Sequence, residues 1–280
     1  MTTEIDIQGK KLFIDGSYYI FYRFYATYNW YRRQNESDDL ENKSEKNENI
    51  TEDKIFMEKY AKIFENTIVS LQKSNKIEWK NVFFAKDCPR QDIFRNDIYE
   101  GYKIREELKS FDNNIFVYTY NVLIPELVKK YNFNILCSNY LEADDVIALL
   151  VKKIHALNAT TKFLIITNDN DYVQLHNSVT EIKNLQDKDL KIRASPDYDA
   201  ETYLKIKIIL GDKSDNIPAI IKKCGIKTAE KLALNPDELN KLFDKDPDAK
   251  KNFERNQKLI DFNYIDEKLK NKYLERFKFV

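Results

Sequence analysis

NILCSNYLEADDVIALL, residues 134–150, decides the fold. The apolar run at 134–137 reads as a short strand, a brief loop follows, and Val146–Val151 begins an apolar helix. Between them stand Glu142, Asp144 and Asp145, three carboxylates within four residues. Like charges this close repel, and each raises the pKa of its neighbours. A helix start favours negative charge through its dipole, but crowding of this kind needs a further cause.

Outward from that stretch the pattern repeats. KLFI (11–14) ends at Asp15-Gly16, NVFFA (81–85) leads to Asp87, and KFLIIT (162–167) runs into Asp169 and Asp171. Helical patterns separate these strands. Residues 17–33 are aromatic-rich, with Ser17 as N-cap. Residues 54–73 carry Ile55, Tyr60, Ile63, Phe64, Ile68 and Leu71 near helical spacing. A hairpin is expected over Val179–Ala194. After Pro196 the pattern turns helical, through 200–210, GDKSDNIP (211–218) and onward to the end. Strands alternating with helices predict an α/β fold, a mostly parallel central sheet with helices on both faces. Ligands of such sheets bind at the carboxyl ends of the strands, so the acids are predicted to meet on one side.

The composition narrows the chemistry. With 280 residues, 42% of them hydrophobic, the chain suffices for one large domain, or a main domain and a small one. Three cysteines without a CxxC pair suggest neither a disulfide framework nor a zinc site. Nothing near the two histidines suggests Ser-His or Cys-His catalysis, so carboxylates must carry most of any chemistry. The formal charge is zero, but residues 34–53 hold eight acids and two lysines, or −6, which leaves +6 elsewhere. That stretch reads as an acidic, flexible insertion, and a basic working surface is allowed beside it. No apolar run is long enough to cross a bilayer, and the first residues lack the apolar stretch of a signal peptide. A soluble intracellular protein with no membrane partner is expected.

Several carboxylates share a pocket when divalent cations compensate them. All-oxygen ligands suit magnesium or manganese, and a pair of such ions about 3.5–4 Å apart serves in-line attack on a phosphodiester. Asp212 and Asp215, three residues apart, could share one face of a helical turn. In the AIIKKCGIKTAEKLA that follows (219–233), a glycine among lysines can let the backbone approach a nucleic-acid phosphate.

FIDG (13–16), FAKD (84–87), FRNDIYEGYK (94–103), LEADD (141–145), ITNDND (166–171) and GDKSDNIP (211–218) together resemble the structure-specific 5′ nucleases of the flap endonuclease and 5′→3′ exonuclease family. The resemblance is greatest to the stand-alone phage and bacterial forms and covers most of the chain. It implies a PIN-like 5′ nuclease core over 1–197, with an arch or clamp at 88–125. It also implies a C-terminal helical DNA-binding subdomain over 198–280, with a helix-hairpin-helix (H2TH-like) motif. Two Mg2+ ions are implied, with Mn2+ as a substitute and K+ at the hairpin as a candidate further ion. Asp15, Asp87, Glu142, Asp144 and Asp145 would bind or support the first metal; Asp169, Asp171 and Asp215 would build the second, assisted by Asp212. Lys103 and Arg95 match the basic arch residues that act on the scissile phosphate. Lys222, Lys223, Gly225, Ile226 and Lys227 fit the duplex-gripping hairpin. The family often reads YKxxR, whereas here position 106 is glutamate and Arg105 comes one residue early; its glycine-any-glycine hairpin reads KCG here.

Taken singly, each acidic motif is as readily a turn, a cap or a solvated loop; the set in order is what indicates metal. Most aromatics of 17–33 are expected in the core, with Tyr22 and Arg23 the best candidates for DNA contact. The implied activity is Mg2+-dependent hydrolysis of DNA at flaps, nicks or RNA-primed 5′ ends, in replication, repair or recombination. The protein would be a monomer, with a polymerase or single-strand-binding protein as a candidate partner. The rivals are a PIN-like ribonuclease and a catalytically silent structure-specific DNA-binding protein of the same fold.

Overall fold

The computed structural model describes residues 2–34, 50–104, 111–194 and 197–280. The chain opens with β1 (Thr3–Ile5), β2 (Lys11–Asp15), α1 (Gly16–Gln34), α2 (Lys54–Ser74) and β3 (Val82–Ala85). Next come α3 (Asn114–Tyr118), α4 (Ile124–Tyr131), β4 (Asn134–Leu136), α5 (Ala143–Leu157), β5 (Phe163–Ile166) and β6 (Thr180–Lys183). The remainder is α6 (Leu190–Ala194), α7 (Ala200–Leu210), α8 (Ile226–Leu234), α9 (Pro236–Lys245), α10 (Pro247–Ile260), α11 (Glu267–Leu274) and β7 (Phe277–Phe279).

Five strands form one sheet in the order β4-β3-β2-β5-β6, and every pair is parallel. Period-two alternation explains its layers. Leu12 and Ile14, with Val82, Phe84, Leu164 and Ile166, face α1, α2 and α4. Phe13, Phe83, Ala85, Phe163 and Ile165 face α5. Register sets Phe13 opposite both Phe83 and Ile165, and the Phe13 and Phe83 rings stack at 4.8 Å. Both faces are covered, which is why these strands read as continuous apolar runs.

Two expectations change. No hairpin spans Val179–Ala194: β6 lies parallel to β5 and α6 follows it. TEIK is too short and too mixed in polarity to disclose its pairing, and the tight turn after it, with a single bridge from Lys183 to Asp189, mimics a hairpin. The ends of the expected insertion 34–53 belong to the fold, since Gln34 ends α1, Ile50 is buried, and Asp53 caps α2 by accepting the Phe56 N–H at 2.9 Å. Residues 35–49 and Arg105 lie outside the described residues.

The C-terminal helices attach at two places. α7, α8 and α9 share a small core around Ile209, Ile220 and Leu239. Ile208, Ile217, Leu259 and Ile260 pack on Cys88, Ile93 and Tyr102. The last residues return to the sheet side: Tyr273 joins the core under α5, and β7 pairs in parallel with β1.

The chain leaves β2 and steps outward through β3 to β4, then returns to the other side of β2 for β5 and β6. The strand order therefore reverses beside β2, and a crevice opens there at the carboxyl ends. Gly16 makes the turn at that point. A Cβ there would lie 2.1 Å from the Ala85 carbonyl oxygen and 2.7 Å from the Phe84 ring, so only glycine lets β2 and α1 approach β3 this closely.

Candidate metal centre

Asp15 ends β2 in that crevice, 8% exposed. Its Oδ2 accepts the Thr167 hydroxyl at 2.8 Å, which ties β2 to the end of β5, and its Oδ1 accepts the Tyr18 N–H at 3.2 Å. Burial, then Asp87, pushes its carboxyl up to about 7 against these hydrogen bonds. Asp87 accepts the Ser17 hydroxyl and, at 2.7 Å, the Ala143 N–H in the first turn of α5. It too is raised, by burial first.

Glu142 is the N-cap of α5 and is buried. Lys103 Nζ donates to its Oε1 at 2.5 Å; Tyr102 Oη and Arg95 Nη1 donate to its Oε2 at 2.8 and 3.2 Å. Burial works to raise this carboxyl, but Lys103 and Arg95 outweigh it and hold it below its ordinary value. At Asp144 the same two cations are outweighed. Burial, then Asp145 and Glu142, drives it well above the carboxylate range.

The second group stands on the turn after α7. Gly211, with φ of 74°, allows Asp212 and Ile217 to exchange backbone hydrogen bonds at 2.8 and 2.7 Å, which presents Asp212 and Asp215 toward the sheet. Burial raises the Asp215 carboxyl, with Lys103 opposing. Asp212 goes the other way: despite its burial, Lys207 brings it down to about 2. Asp169 follows β5 and accepts the Asp171 N–H at 2.9 Å.

One cavity of about 830 Å³ collects Asp15, Asp87, Glu142, Asp144, Asp169, Asp212 and Asp215, with Lys103, Lys207, Arg90, Tyr18 and Phe21 beside them. These carboxylates come from five separate segments. Within the described residues, oxygens of Glu142, Asp144 and Asp145 lie within 4.8 Å of one another, as do those of Asp171, Asp212 and Asp215. The hydroxyl of Tyr172, fully buried, has no hydrogen-bond partner. All-oxygen donors and several carboxyls raised by burial and by one another fit a hard dication.

Two assignments to reaction chemistry are corrected. Arg95 does not face the cavity. It is 2% exposed, its Nη1 and Nη2 each donate to Asp145 at 2.7 Å, and its Nε donates to the Leu259 carbonyl at 2.7 Å. Asp145 is consequently no free ligand: Arg95 holds both its oxygens, and Oδ2 also accepts the Glu142 N–H at 3.1 Å. This fork-on-fork pair sits behind the acid cluster and orients Glu142. Tyr22 and Arg23 also move off the cavity wall. Arg23 lies over the Tyr22 ring at 4.6 Å and donates to Thr67 Oγ1 at 2.9 Å, while Tyr18 and Phe21 line the cavity instead.

Lys103 stands between the two acid groups. Besides Glu142 it reaches Asp215 Oδ2 at 3.6 Å, and its N–H donates to the Asp215 carbonyl at 2.9 Å with φ at 51°. Lysine rarely holds this left-handed conformation, and here two elements pin it. Lys207 and Thr167 were not singled out from sequence, and Ser17, expected as an N-cap, lies inside α1 and gives its hydroxyl to Asp87. Lys207 had one signal, a cation in the last turn of a mostly apolar helix, five residues before Asp212. Cys88 also lines the cavity, but burial and Glu142 push its thiol to about 12, which removes it as a nucleophile. Lys222, Lys223, Gly225, Ile226 and Lys227 lie together on the exposed turn into α8, apart from the cavity. Lys223, one of the departures from glycine, takes φ of 58°, a left-handed conformation that glycine adopts freely.

The family model described as 5′-3′ exonuclease, N-terminal resolvase-like domain, matches residues 10–204. The chain belongs to this 5′-3′ exonuclease family. It is 27% identical over 255 residues to a DNA polymerase I of Lactococcus lactis, covering 85% of this chain and 25% of that protein. It is 26% identical over 231 residues to a 5′-3′ exonuclease of Buchnera aphidicola, covering 78% of this chain and 67% of the relative. The chain thus spans about a quarter of the polymerase relative's length. Among solved structures, the bacteriophage T5 flap endonuclease in a complex with DNA and metal ions superposes with a TM-score of 0.63 at 18% identity, over 95% of this chain and 97% of that one. The shared architecture is that of the parallel sheet and its helices. No described helix is long and apolar enough to cross a membrane.

The carboxyl shifts give a pH prediction. Asp15 titrates near 7 when folded and near 3.8 when unfolded, so the folded state binds the extra proton. Through this group, metal-free stability falls as pH rises from about 4 to about 7 and is flat above. A dication needs the carboxylates, so its binding at pH 6 should release at least about one proton, from Asp15 and from the raised Asp87, Asp144 and Asp215, and fewer as the pH rises. Calorimetric Mn2+ titrations in two buffers of different ionisation enthalpy count the total released.

Proposed function

We propose that the protein is a divalent-metal-dependent, structure-specific 5′ nuclease that hydrolyses DNA phosphodiesters at a 5′ flap, nick or free 5′ end. The observation that carries this reading is the convergence of seven carboxylates from five segments on one cavity, with a lysine touching both acid groups. Asp15, Asp87, Glu142 and Asp144 would hold one ion, and Asp169, Asp171, Asp212 and Asp215 the other. Magnesium is the proposed physiological ion, because the donors are all oxygen. When bound, two such ions supply an activated water and stabilise charge on the phosphate oxygens.

The chain's own residues do the rest. Ser17 and Thr167 aim the Asp87 and Asp15 carboxylates by hydrogen bonds. The Arg95–Asp145 pair and Tyr102 fix Glu142 from behind. Lys103, pinned at the cavity rim, is placed to meet the scissile phosphate. Tyr18 and Phe21 offer apolar surface to the terminal base. We assign duplex contact to the exposed Lys222, Lys223, Gly225, Ile226 and Lys227, in a helical unit beginning near residue 198. The relatives named 5′-3′ exonuclease and flap endonuclease support this reading.

A magnesium titration with a 5′-labelled flap duplex, beside single-stranded RNA of the same sequence, tests it. Magnesium-dependent cutting near the flap junction, with the RNA intact, is the expected result. Cutting of the RNA alone, or tight flap binding with no cutting at any magnesium concentration, would contradict it.

A further inference from the structure

Lys207 lies in the last turn of α7, half-buried, with its ammonium 2.8 Å from Asp212 Oδ2 and in contact with Asp171 Oδ1. Asp171, Asp212 and Asp215 are the group whose oxygens lie within 4.8 Å of one another. The carboxylates arranged for a dication are therefore already bridged by a side-chain cation. Lys207 lines the cavity together with Asp212 and Asp215. A dication and an ammonium repel at such separations in a partly dry pocket, and both cannot sit on the same oxygens.

We propose that the Lys207 ammonium is the resident cation of the second acid group, that metal enters by displacing it, and that this competition sets the affinity of that site. The proposal rests on the metal-dependent reading above. Lysine suits the task because its charge is compact and its four-carbon stem is flexible. The displaced ammonium stays within reach of the cavity, where a nucleic-acid phosphate would be, so a positive charge turns toward substrate only after the ion has arrived. Lys103 is built differently: its backbone is pinned to Asp215, and its carbonyl accepts from Arg90, which keeps it between the groups.

The experiment is Mn2+ titration calorimetry on the full chain without DNA, comparing wild type, Lys207→Met, Lys207→Leu and Lys207→Arg. In the two neutral variants the weaker Mn2+ event should tighten at least tenfold, about 1.4 kcal/mol. Lys207→Arg keeps the charge and should keep the weak affinity. The neutral variants should also melt lower without metal and gain more in Tm at saturating Mn2+ than wild type does. Equal or weaker Mn2+ binding in both neutral variants overturns the proposal and leaves the metal reading standing. Absence of any Mn2+ binding by wild type overturns the metal reading and this proposal with it.

Discussion

Asp144→Asn is expected to lower divalent-dependent cleavage at least about 10³-fold, on the order of 4 kcal/mol of transition-state stabilisation, without lowering the stability of the metal-free protein. Asp144 faces the cavity, where burial, Asp145 and Glu142 all oppose its ionisation. In the unfolded chain it ionises near the ordinary carboxylate value, so at neutral pH its charge works against folding. Asparagine keeps the shape and the acceptor for the Asp145 N–H, which Asp144 Oδ1 holds at 2.8 Å. It removes only the charge that a dication needs. Single-turnover cleavage of a flap substrate and thermal melting in chelator check the two halves. Cleavage within tenfold of wild type would remove Asp144 from the metal group, and a large drop in metal-free Tm would show that its charge is structural.

Arg95→Met should give the largest loss of stability, about 3–5 kcal/mol, because it leaves a buried carboxylate unpaired. Asp145 is fully buried, and Arg95 supplies hydrogen bonds to both its oxygens. Arg95 also caps the Leu259 carbonyl at the C-terminal end of α10, so its removal loosens the contact between α5 and the C-terminal helices. Combining it with Asp145→Leu removes both charges and should recover a large part of the loss. Denaturant unfolding of the wild type, the two single variants and the double variant supplies the coupling. Additive losses would mean that the pair is no unit, and that Glu142 is held in place by other contacts.

The sheet was legible because both of its faces are covered. LFI, VFFA and FLII are unbroken apolar runs, and an acid follows each within three residues because the crevice lies just beyond. The stretch 88–104 was less readable because charge is dense there. Sequence cannot tell a cation that lines the cavity, such as Lys103, from one buried behind it, such as Arg95. Asp144 and Asp145 show the same limit at finer scale. Adjacent helical residues point about 100° apart, so one carboxylate opens to the cavity and the next turns to Arg95; the letters alone do not say which. Lys207 was hidden for another reason, since its partners Asp171 and Asp212 come from different segments and only the folded chain brings them together. β6 escaped because four residues, two of them charged, carry too little periodicity to indicate a parallel partner.

The most direct test of the central claim is anomalous diffraction from crystals soaked in manganese. The account predicts two ions in the crevice beside β2, one against Glu142 and Asp144 and one against Asp212 and Asp215. Peaks only on the outer surface, with these carboxylates unoccupied at saturating manganese, would contradict it.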